Sequence, residues 1–222
     1  MNFSSSEENY LKAIFHLQME SATVSTTALA QELEAKPASI TDMMKKLSAK
    51  GVLNYKPYYG FYLNIEGKKV ALGIIRRHRL WEFFLSEKLG FNWNEVHAVA
   101  EEMEHVSSKK LIDKLDEFLG FPQFDPHGDP IPDSKGRFKA HNKISLDQLP
   151  PNQAAQVVQV SNQSDDMLQL LKHKNISIGT SIEVKKHFEF DHSLQVKLKP
   201  NRLETISEQL AKNIFVAYET SK

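Results

Sequence analysis

The sequence predicts a mostly α-helical protein with a small β domain at its C-terminus, and three features support this class. Apolar residues recur at helical spacing through most of the first 120 residues, with one hairpin pattern near residue 55. A segment rich in proline and glycine, PQFDPHGDPIPDSKG, follows these helices. Beyond about residue 140, short runs rich in Val and Ile are separated by turn residues, which is typical of strands.

Three predicted helices open the chain. The stretch SEENYLKAIFHLQME has the apolar spacing of an amphipathic helix, and we expect Ser5 or Ser6 to cap it. VSTTALAQEL predicts the second helix, with a Ser or Thr cap, and ASITDMMKKLSAKG predicts the third. A break in the helical pattern between the last two indicates a helix-turn-helix.

A hairpin is predicted directly after the third helix. Two runs rich in aromatic and branched residues, around Leu53 and Tyr62, are separated by Pro57 and Gly60. A helix, a helix-turn-helix and a hairpin in this order form the pattern of a winged helix-turn-helix. We therefore expect a DNA-binding domain over residues 1–72.

Residues 73–140 predict a helical domain. A long helix covers KKVALGIIRRHRLWEFFLSEKLG, an acidic helix covers EVHAVAEEMEHV, and a third helix covers LIDKLDEFLGF. We expect two copies of the chain to form a homodimer through apolar residues near Trp93 and Val96 and through the third helix.

Residues 150–222 predict a small β domain. AAQVVQVS, SIEVKKHF and SLQVKL have the composition of strands, and DMLQLLKHK has that of a short helix. Several short strands with one helix favour a small SH3-like barrel.

Composition excludes several classes of protein. The absence of cysteine excludes disulfides and thiolate zinc sites. No signal-peptide pattern opens the chain and no stretch approaches the roughly 20 apolar residues of a membrane helix, so we expect a cytoplasmic protein. Residues 1–79 carry 11 Lys and Arg against 7 Asp and Glu, whereas residues 80–120 carry 4 against 9. This asymmetry favours an anionic partner for the first part and a cation site in the second.

The acidic helix is the first candidate metal site. At about 100° per residue, one face would carry His97, Glu101, Glu104 and His105. Glutamates three residues apart repel each other, and a bound dication would reverse the sign of that interaction. The alternative interpretation is an ordinary solvated polar face.

Two further sets of ligand-type residues lie nearby. His78 and Glu82 are four residues apart on the long helix, and Asp125 and His127 lie in the FDPHGD loop. Each alone has an ordinary explanation, a surface ion pair for the first and a turn for the second. Three such sets within about fifty residues favour a metal site.

The third helix and the hairpin offer the candidate DNA contacts. A recognition helix reads base edges with residues near its start, and basic or tyrosine side chains contact phosphates. The candidates are Lys36, Ser39, Thr41, Lys45, Lys46 and Tyr58. The alternative is a winged helix that binds another protein.

Five stretches carry a family resemblance: EENYLKAIFHL, ASITDMMKKLSAKGVL, RRHRLWEFFL, VHAVAEEMEHVSS and LGFPQFDPHGDPIP. Together they resemble the diphtheria toxin repressor family of metal-dependent transcriptional regulators, in particular its manganese-responsive branch. The resemblance implies a winged-helix DNA-binding domain, a helical dimerisation and metal domain, and an SH3-like domain of FeoA type. It also implies a repressor of metal uptake genes that binds palindromic operator DNA as a dimer when metal is bound.

The resemblance implies two metal sites. The first would use Glu101, Glu104 and His105 with Asn9 of the first helix. The second has two alternative ligand sets. One is the iron-type set His78, Glu82 and His97, and the other is Glu82, Asp125 and His127 with a side chain of the SH3-like domain. The candidates for that last ligand are Gln163, Asp165 and Asp166.

This chain departs from the family pattern on the first helix. Asn9 stands where the family has Asp or Met, and Lys12 replaces a family carboxylate, which argues against a binuclear site. Positions that hold cysteine in some relatives are Glu101 and Asp125 here. Ligation by oxygen favours Mn²⁺, with Fe²⁺ as the alternative. Two rival functions are a metalloenzyme and a metal-storage or protein-interaction role.

Overall fold

The computed structural model describes residues 2–56, 59–93, 95–139, 142–161 and 164–218, with the backbone alone for Lys56. It confirms the predicted class, a helical N-terminal and middle region followed by a β domain. Each of the three regions has a hydrophobic core of its own. Tyr58 and Gln163, two of the predicted site residues, lie outside the described residues.

The N-terminal region is a winged helix-turn-helix. Its elements are α1 (Ser5–Glu20), α2 (Thr26–Glu32), α3 (Pro37–Ala49), β1 (Leu53–Lys56) and β2 (Gly60–Leu63). The two strands pair antiparallel, with Leu53 opposite Leu63, and form the wing. Apolar faces of all three helices meet around Leu11, Ile40 and Met44, which are fully buried. Packing of these faces, more than helix propensity, holds such short helices in place.

The cap of α1 differs from the prediction. Ser4, rather than Ser5 or Ser6, caps the helix through a reciprocal pair: Glu7 N–H donates to Ser4 Oγ (3.3 Å), and Ser4 N–H donates to Glu7 Oε2 (2.7 Å). This capping box satisfies two free N–H groups at the helix start.

The middle region contains α4 (Ile65–Leu89), α5 (Val96–Met103) and α6 (Lys109–Phe118). The acidic helix is shorter than predicted, because Glu104 is its C-cap and His105 lies beyond its end. The Glu104 carbonyl accepts a hydrogen bond from Arg77 Nε (2.5 Å), and Ser108 caps the next helix.

The two predicted dimer residues differ in burial. Val96 is fully buried in the core of its own chain, so it cannot itself lie on a dimer surface. Trp93 is partly buried, packs against the C-terminal core and stacks on His127, and its part in a dimer stays a prediction. Other apolar side chains of this region are exposed. They are Leu89, Leu111, Phe118 and Phe121, and the predicted third helix contributes Leu111 and Phe118.

The C-terminal region is an SH3-like antiparallel sheet. In its described part, six strands follow the order β3-β8-β4-β5-β6-β7. The strands are β3 (Ile144–Ser145), β4 (Ala154–Val160), β5 (Ser181–His187), β6 (Leu194–Leu198), β7 (Arg202–Ile206) and β8 (Ile214–Ala217), with helices α7 (Asp165–His173) and α8 (Glu208–Lys212). The sequence pattern predicted β4, β5, β6 and α7 but missed β3, β7, β8 and α8. Among the described helices, none has the length and apolar character to cross a membrane.

Candidate metal centre

The predicted ligands of the N-terminal and middle regions gather where α1, α4, α5 and the loop after α6 meet. They form two groups that share His78 of α4. We call Glu82, Asp125 and His127 the loop cluster, and Lys12, Glu101 and Glu104 the interdomain cluster.

The loop cluster is fully enclosed. All three residues are buried, and one ligand atom from each lies within 4.8 Å of the others. Asp125 Oδ1 accepts the N–H groups of His127 (2.8 Å) and Asp129 (2.9 Å), which fixes the loop as a tight turn. The FDPHGD turn therefore positions the ligand atoms through its own backbone.

Two atoms of the loop cluster fit a metal. His127 Nε2 lies 2.8 Å from the Trp93 carbonyl and donates to it, which leaves Nδ1 as the unprotonated nitrogen of a neutral ring. Within the described structure, neither that buried Nδ1 nor the buried Asp125 Oδ2 has a hydrogen-bond partner. Arg79 Nε is 3.5 Å from Oδ2, an ion-pair distance only. Buried polar atoms are rarely left unpaired without a reason.

Electrostatics in the loop cluster favours a cation. Burial, together with the charges of Glu82 and Asp129, raises the pKa of Asp125 well above its ordinary value. Burial also disfavours ionisation of Glu82, but hydrogen bonds from His78 and His97 lower its pKa. The ionised Glu82 thus makes a second negative charge at Asp125 costly, and a dication would remove that cost.

The C-terminal domain touches the loop cluster. Val160 N–H donates to the His127 carbonyl (3.0 Å), and Gln159 Nε2 donates to Asp129 Oδ1 (2.5 Å). Gln159 is buried, and its Oε1 has no partner among the described residues. Gln159 is not among the predicted site residues, although Ala155, Val157 and Gln159 share the buried phase of β4, where a polar residue is unusual.

Asp165 and Asp166, the predicted ligands of the SH3-like domain, are exposed in the first turn of α7. They do not join the buried group of Glu82, Asp125 and His127. Among the described residues of this domain, Gln159 is better placed to reach the loop cluster.

The interdomain cluster already contains a cation. Lys12 of α1 donates to Glu101 Oε1 (2.5 Å) and to both carboxylate oxygens of Glu104 (2.9 Å each). Glu104 is fully buried, which disfavours its charge, but a hydrogen bond from His78 and the charge of Lys12 lower its pKa. The repulsion expected between the two glutamates is therefore offset by a side chain of the DNA-binding domain.

His105 and Asn9, the other two ligands predicted for this site, have different surroundings. His105 Nε2 lies 4.0 Å from Glu104 Oε1, at the limit of an ion pair. His105 Nδ1 lies 2.7 Å from Glu8 Oε2, and Arg77 donates to Glu8 Oε1 (2.8 Å). Asn9 Oδ1 is buried and lacks a hydrogen-bond partner in the described part of the chain. Glu8 was missed in the sequence analysis because an acidic residue in a first helical turn is ordinarily solvated.

The iron-type set also comes together. His78 Nε2 lies 3.0 Å from Glu82 Oε1 and 3.1 Å from His97 Nδ1. Burial disfavours the charged form of His78, but hydrogen bonds to Glu104 and Glu82 outweigh it and raise the pKa of His78 to about 9. Both alternative ligand sets thus converge on Glu82, although His97 is half exposed.

Of the predicted DNA contacts, all but Tyr58 of the predicted hairpin lie on α3 or at its N-cap. Lys36, Ser39, Thr41 and Lys45 are exposed at and after the start of α3. Lys46 is also exposed but lies 3.2 Å from the buried carboxylate of Glu7. This face of α3 therefore presents basic and hydroxyl side chains to solvent, as a recognition helix does.

Three family models match the chain in succession. Residues 2–61 match the iron dependent repressor N-terminal DNA binding domain, residues 65–133 match the iron dependent repressor metal binding and dimerisation domain, and residues 144–218 match the FeoA domain.

Curated relatives and solved structures agree with these matches. The chain is 33% identical over 116 residues to the HTH-type transcriptional regulator MntR of Oceanobacillus iheyensis, covering 52% of this chain and 78% of that protein. It is 32% identical over 125 residues to the iron-dependent repressor IdeR of Mycobacterium leprae, covering 56% of this chain and about half, 54%, of that protein. A manganese-dependent transcriptional repressor in complex with manganese superposes with a TM-score of 0.85 and 30% identity, covering 96% of this chain and all of that one.

Proposed function

Because this chain belongs to the diphtheria toxin repressor family of metal-dependent transcriptional regulators, we propose that it is a Mn²⁺-responsive repressor of metal uptake genes. Proteins of this family bind DNA and dimerise, and its described relatives are regulators rather than enzymes. Fe²⁺ is the alternative metal, since relatives of both kinds are similar to this chain.

The loop cluster is the principal metal site in this proposal. The observation that carries it is the pair of buried atoms, Asp125 Oδ2 and His127 Nδ1, that lack partners in the described structure and lie beside Glu82. Two carboxylates and one imidazole form a hard ligand set, which suits Mn²⁺ and Fe²⁺. Gln159 is the candidate fourth ligand from the C-terminal domain, in place of Asp166.

A bound dication would neutralise the carboxylates of the loop cluster. The residues themselves link α4, the loop and β4. Glu82 belongs to α4, Asp125 and His127 belong to the loop, and the His127 carbonyl accepts a hydrogen bond from the end of β4. Fixing these parts together would restrict how the two α3 helices of a dimer are spaced. A palindromic operator requires them about 34 Å apart, in successive major grooves. A metal shifts that equilibrium only by its preference for one arrangement.

The test uses Asp125→Ala and His127→Ala in the full chain. Duplexes selected from a genomic library in the presence of Mn²⁺ would serve as probes in fluorescence anisotropy titrations. We expect each variant to lose at least about tenfold of Mn²⁺-stimulated affinity, the equivalent of about 1.4 kcal/mol. Asp133→Ala is the matched control, because Asp133 is a partly exposed aspartate of the same loop that pairs with Arg137. Full Mn²⁺ dependence in both cluster variants would overturn the proposal.

The iron-type set supports one alternative arrangement. His78, Glu82 and His97 lie within 3.2 Å of one another through their nearest atoms. If this set holds the ion, His97→Ala should weaken metal binding more than His127→Ala does, because His127 is not a ligand in it. Calorimetric titration of both variants with Mn²⁺ and Fe²⁺ separates the two arrangements and the two metals.

A further inference from the structure

The ammonium group of Lys12 lies between Glu101 and Glu104, where the family resemblance implies a metal ion. Three carboxylate oxygens lie 2.5–2.9 Å from its Nζ. An ammonium has three N–H donors and no acceptor, so these oxygens use its whole donor capacity. A dication bound about 2.0–2.2 Å from the same oxygens would need the space that Nζ fills.

Burial makes this ion pair effective. The side chain of Lys12 is 15% exposed and that of Glu104 is 0% exposed. Charges in such an environment attract each other more strongly than a solvent-screened surface pair does. Since Lys12 belongs to α1 and Glu104 ends α5, the pair ties the DNA-binding domain to the helical domain.

A second contact joins the same two domains. Glu8 of α1 accepts from Arg77 of α4 (2.8 Å) and lies 2.7 Å from His105 (Nδ1 to Oε2). The side chain of Glu8 is 9% exposed and that of Arg77 is 14% exposed. Two ion pairs made by the protein itself therefore hold α1 in place.

We propose that Lys12 is a built-in cation that takes the place of a second metal ion. The chain then binds a single dication, in the loop cluster, and its DNA-binding domain stays docked on the helical domain with or without metal. This inference rests on the proposed function of the loop cluster. Metal regulation passes through the loop and the C-terminal domain rather than through α1.

Metal stoichiometry tests the first part. The full chain would be dialysed to equilibrium against excess Mn²⁺ and the bound metal measured by mass spectrometry. We expect about one ion per wild-type chain and about two for Lys12→Glu, because the glutamate replaces the ammonium with a third carboxylate. Lys69→Glu is the matched control and should stay at about one, since Lys69 pairs with Glu66 on the exposed surface of α4.

Each stoichiometry decides a different question. Two ions bound to wild type, or a single ion bound to Lys12→Glu, would overturn the inference. A wild-type chain that binds none would refute the proposed metal centre itself, and this inference with it.

Hydrogen exchange of the α1 amides tests the second part without any DNA. In wild type, Mn²⁺ should change exchange in α1 by less than about twofold, because α1 is already docked. In Lys12→Glu, Mn²⁺ should slow it by about tenfold or more, since docking now requires the added ion. Lys12→Met, which keeps the apolar stem but loses the charge, should exchange faster at every Mn²⁺ concentration. Strong protection of wild-type α1 by Mn²⁺ would overturn metal-independent docking.

Discussion

Replacing Gly128 by Ala should break the contact between the loop cluster and the C-terminal domain. Gly128 has φ +85°, and a Cβ built on it would lie 1.9 Å from the Val158 carbonyl oxygen and 2.7 Å from Gln159 Cα. Both neighbours are backbone atoms of β4, which cannot move aside as a flexible side chain can. The loop must therefore withdraw from the strand, and His127, the adjacent residue, must move with it.

The size of the effect follows from two contributions. An L-residue in the left-handed region costs about 1–2 kcal/mol. Relief of the overlap requires a backbone shift of about 1.5 Å, and overpacking of this kind costs about 1–3 kcal/mol. If this substitution destabilises the metal-bound arrangement relative to the metal-free one by about 2 kcal/mol, Mn²⁺ affinity should drop about 30-fold.

The assay is calorimetric Mn²⁺ titration of Gly128→Ala, with hydrogen exchange of the β4 amides measured in parallel. Gly136→Ala is the control, because Gly136 lies in the same loop at φ +75° but a Cβ there would meet only side-chain atoms of Leu72, the nearest being Cδ1 at 3.1 Å. Gly136→Ala therefore has the cost of an L-residue at positive φ but no clash with backbone atoms. Wild-type Mn²⁺ affinity and wild-type β4 exchange in Gly128→Ala would refute the proposed link between the domains.

Three further perturbations test other parts of the molecule. Although burial opposes ionisation, hydrogen bonds such as that from Lys50 lower the pKa of Glu7 to about 2, so its contribution to stability is full above pH 4.5 and is lost as the pH falls towards 2. Urea unfolding of Glu7→Gln should show lower stability than wild type at pH 7 and equal stability near pH 2. Lys45→Ala should weaken binding about equally for all DNA sequences. In anisotropy titrations at several salt concentrations, the slope of the log binding constant against log salt concentration should become shallower by about one ion. An unchanged slope would exclude a phosphate contact by Lys45. Phe118→Asp should shift the protein from dimer to monomer in light scattering, whereas Phe190→Asp, fully exposed on the hairpin between β5 and β6, should not.

Much of the candidate site was predictable because it is local. His78 and Glu82 lie four residues apart, and a helix brings such a pair together whatever surrounds it: their nearest atoms are 3.0 Å apart. Asp125 and His127 share one turn, which Asp125 itself closes through hydrogen bonds to the loop backbone. Apolar periodicity likewise located the helices and the wing, because it records which face must be buried.

Other groupings depended on packing between distant parts of the chain. Lys12 meets Glu101 across 89 residues, and Gln159 reaches Asp129 across 30. No short-range pattern encodes such meetings, since they are set by how whole helices and sheets dock. The end of α5 at Met103, which turns His105 towards Glu8, is a consequence of the same docking.

The amino-acid sequence thus determined which donor atoms this protein carries and on which local elements they lie, because helix and turn geometry act within a few residues. The tertiary structure decided which of those atoms face each other. It set Lys12 between two glutamates and brought a strand of the C-terminal domain against the loop cluster. Charge compensation among buried groups depends on distances between separate elements, and only the packed fold fixes those distances.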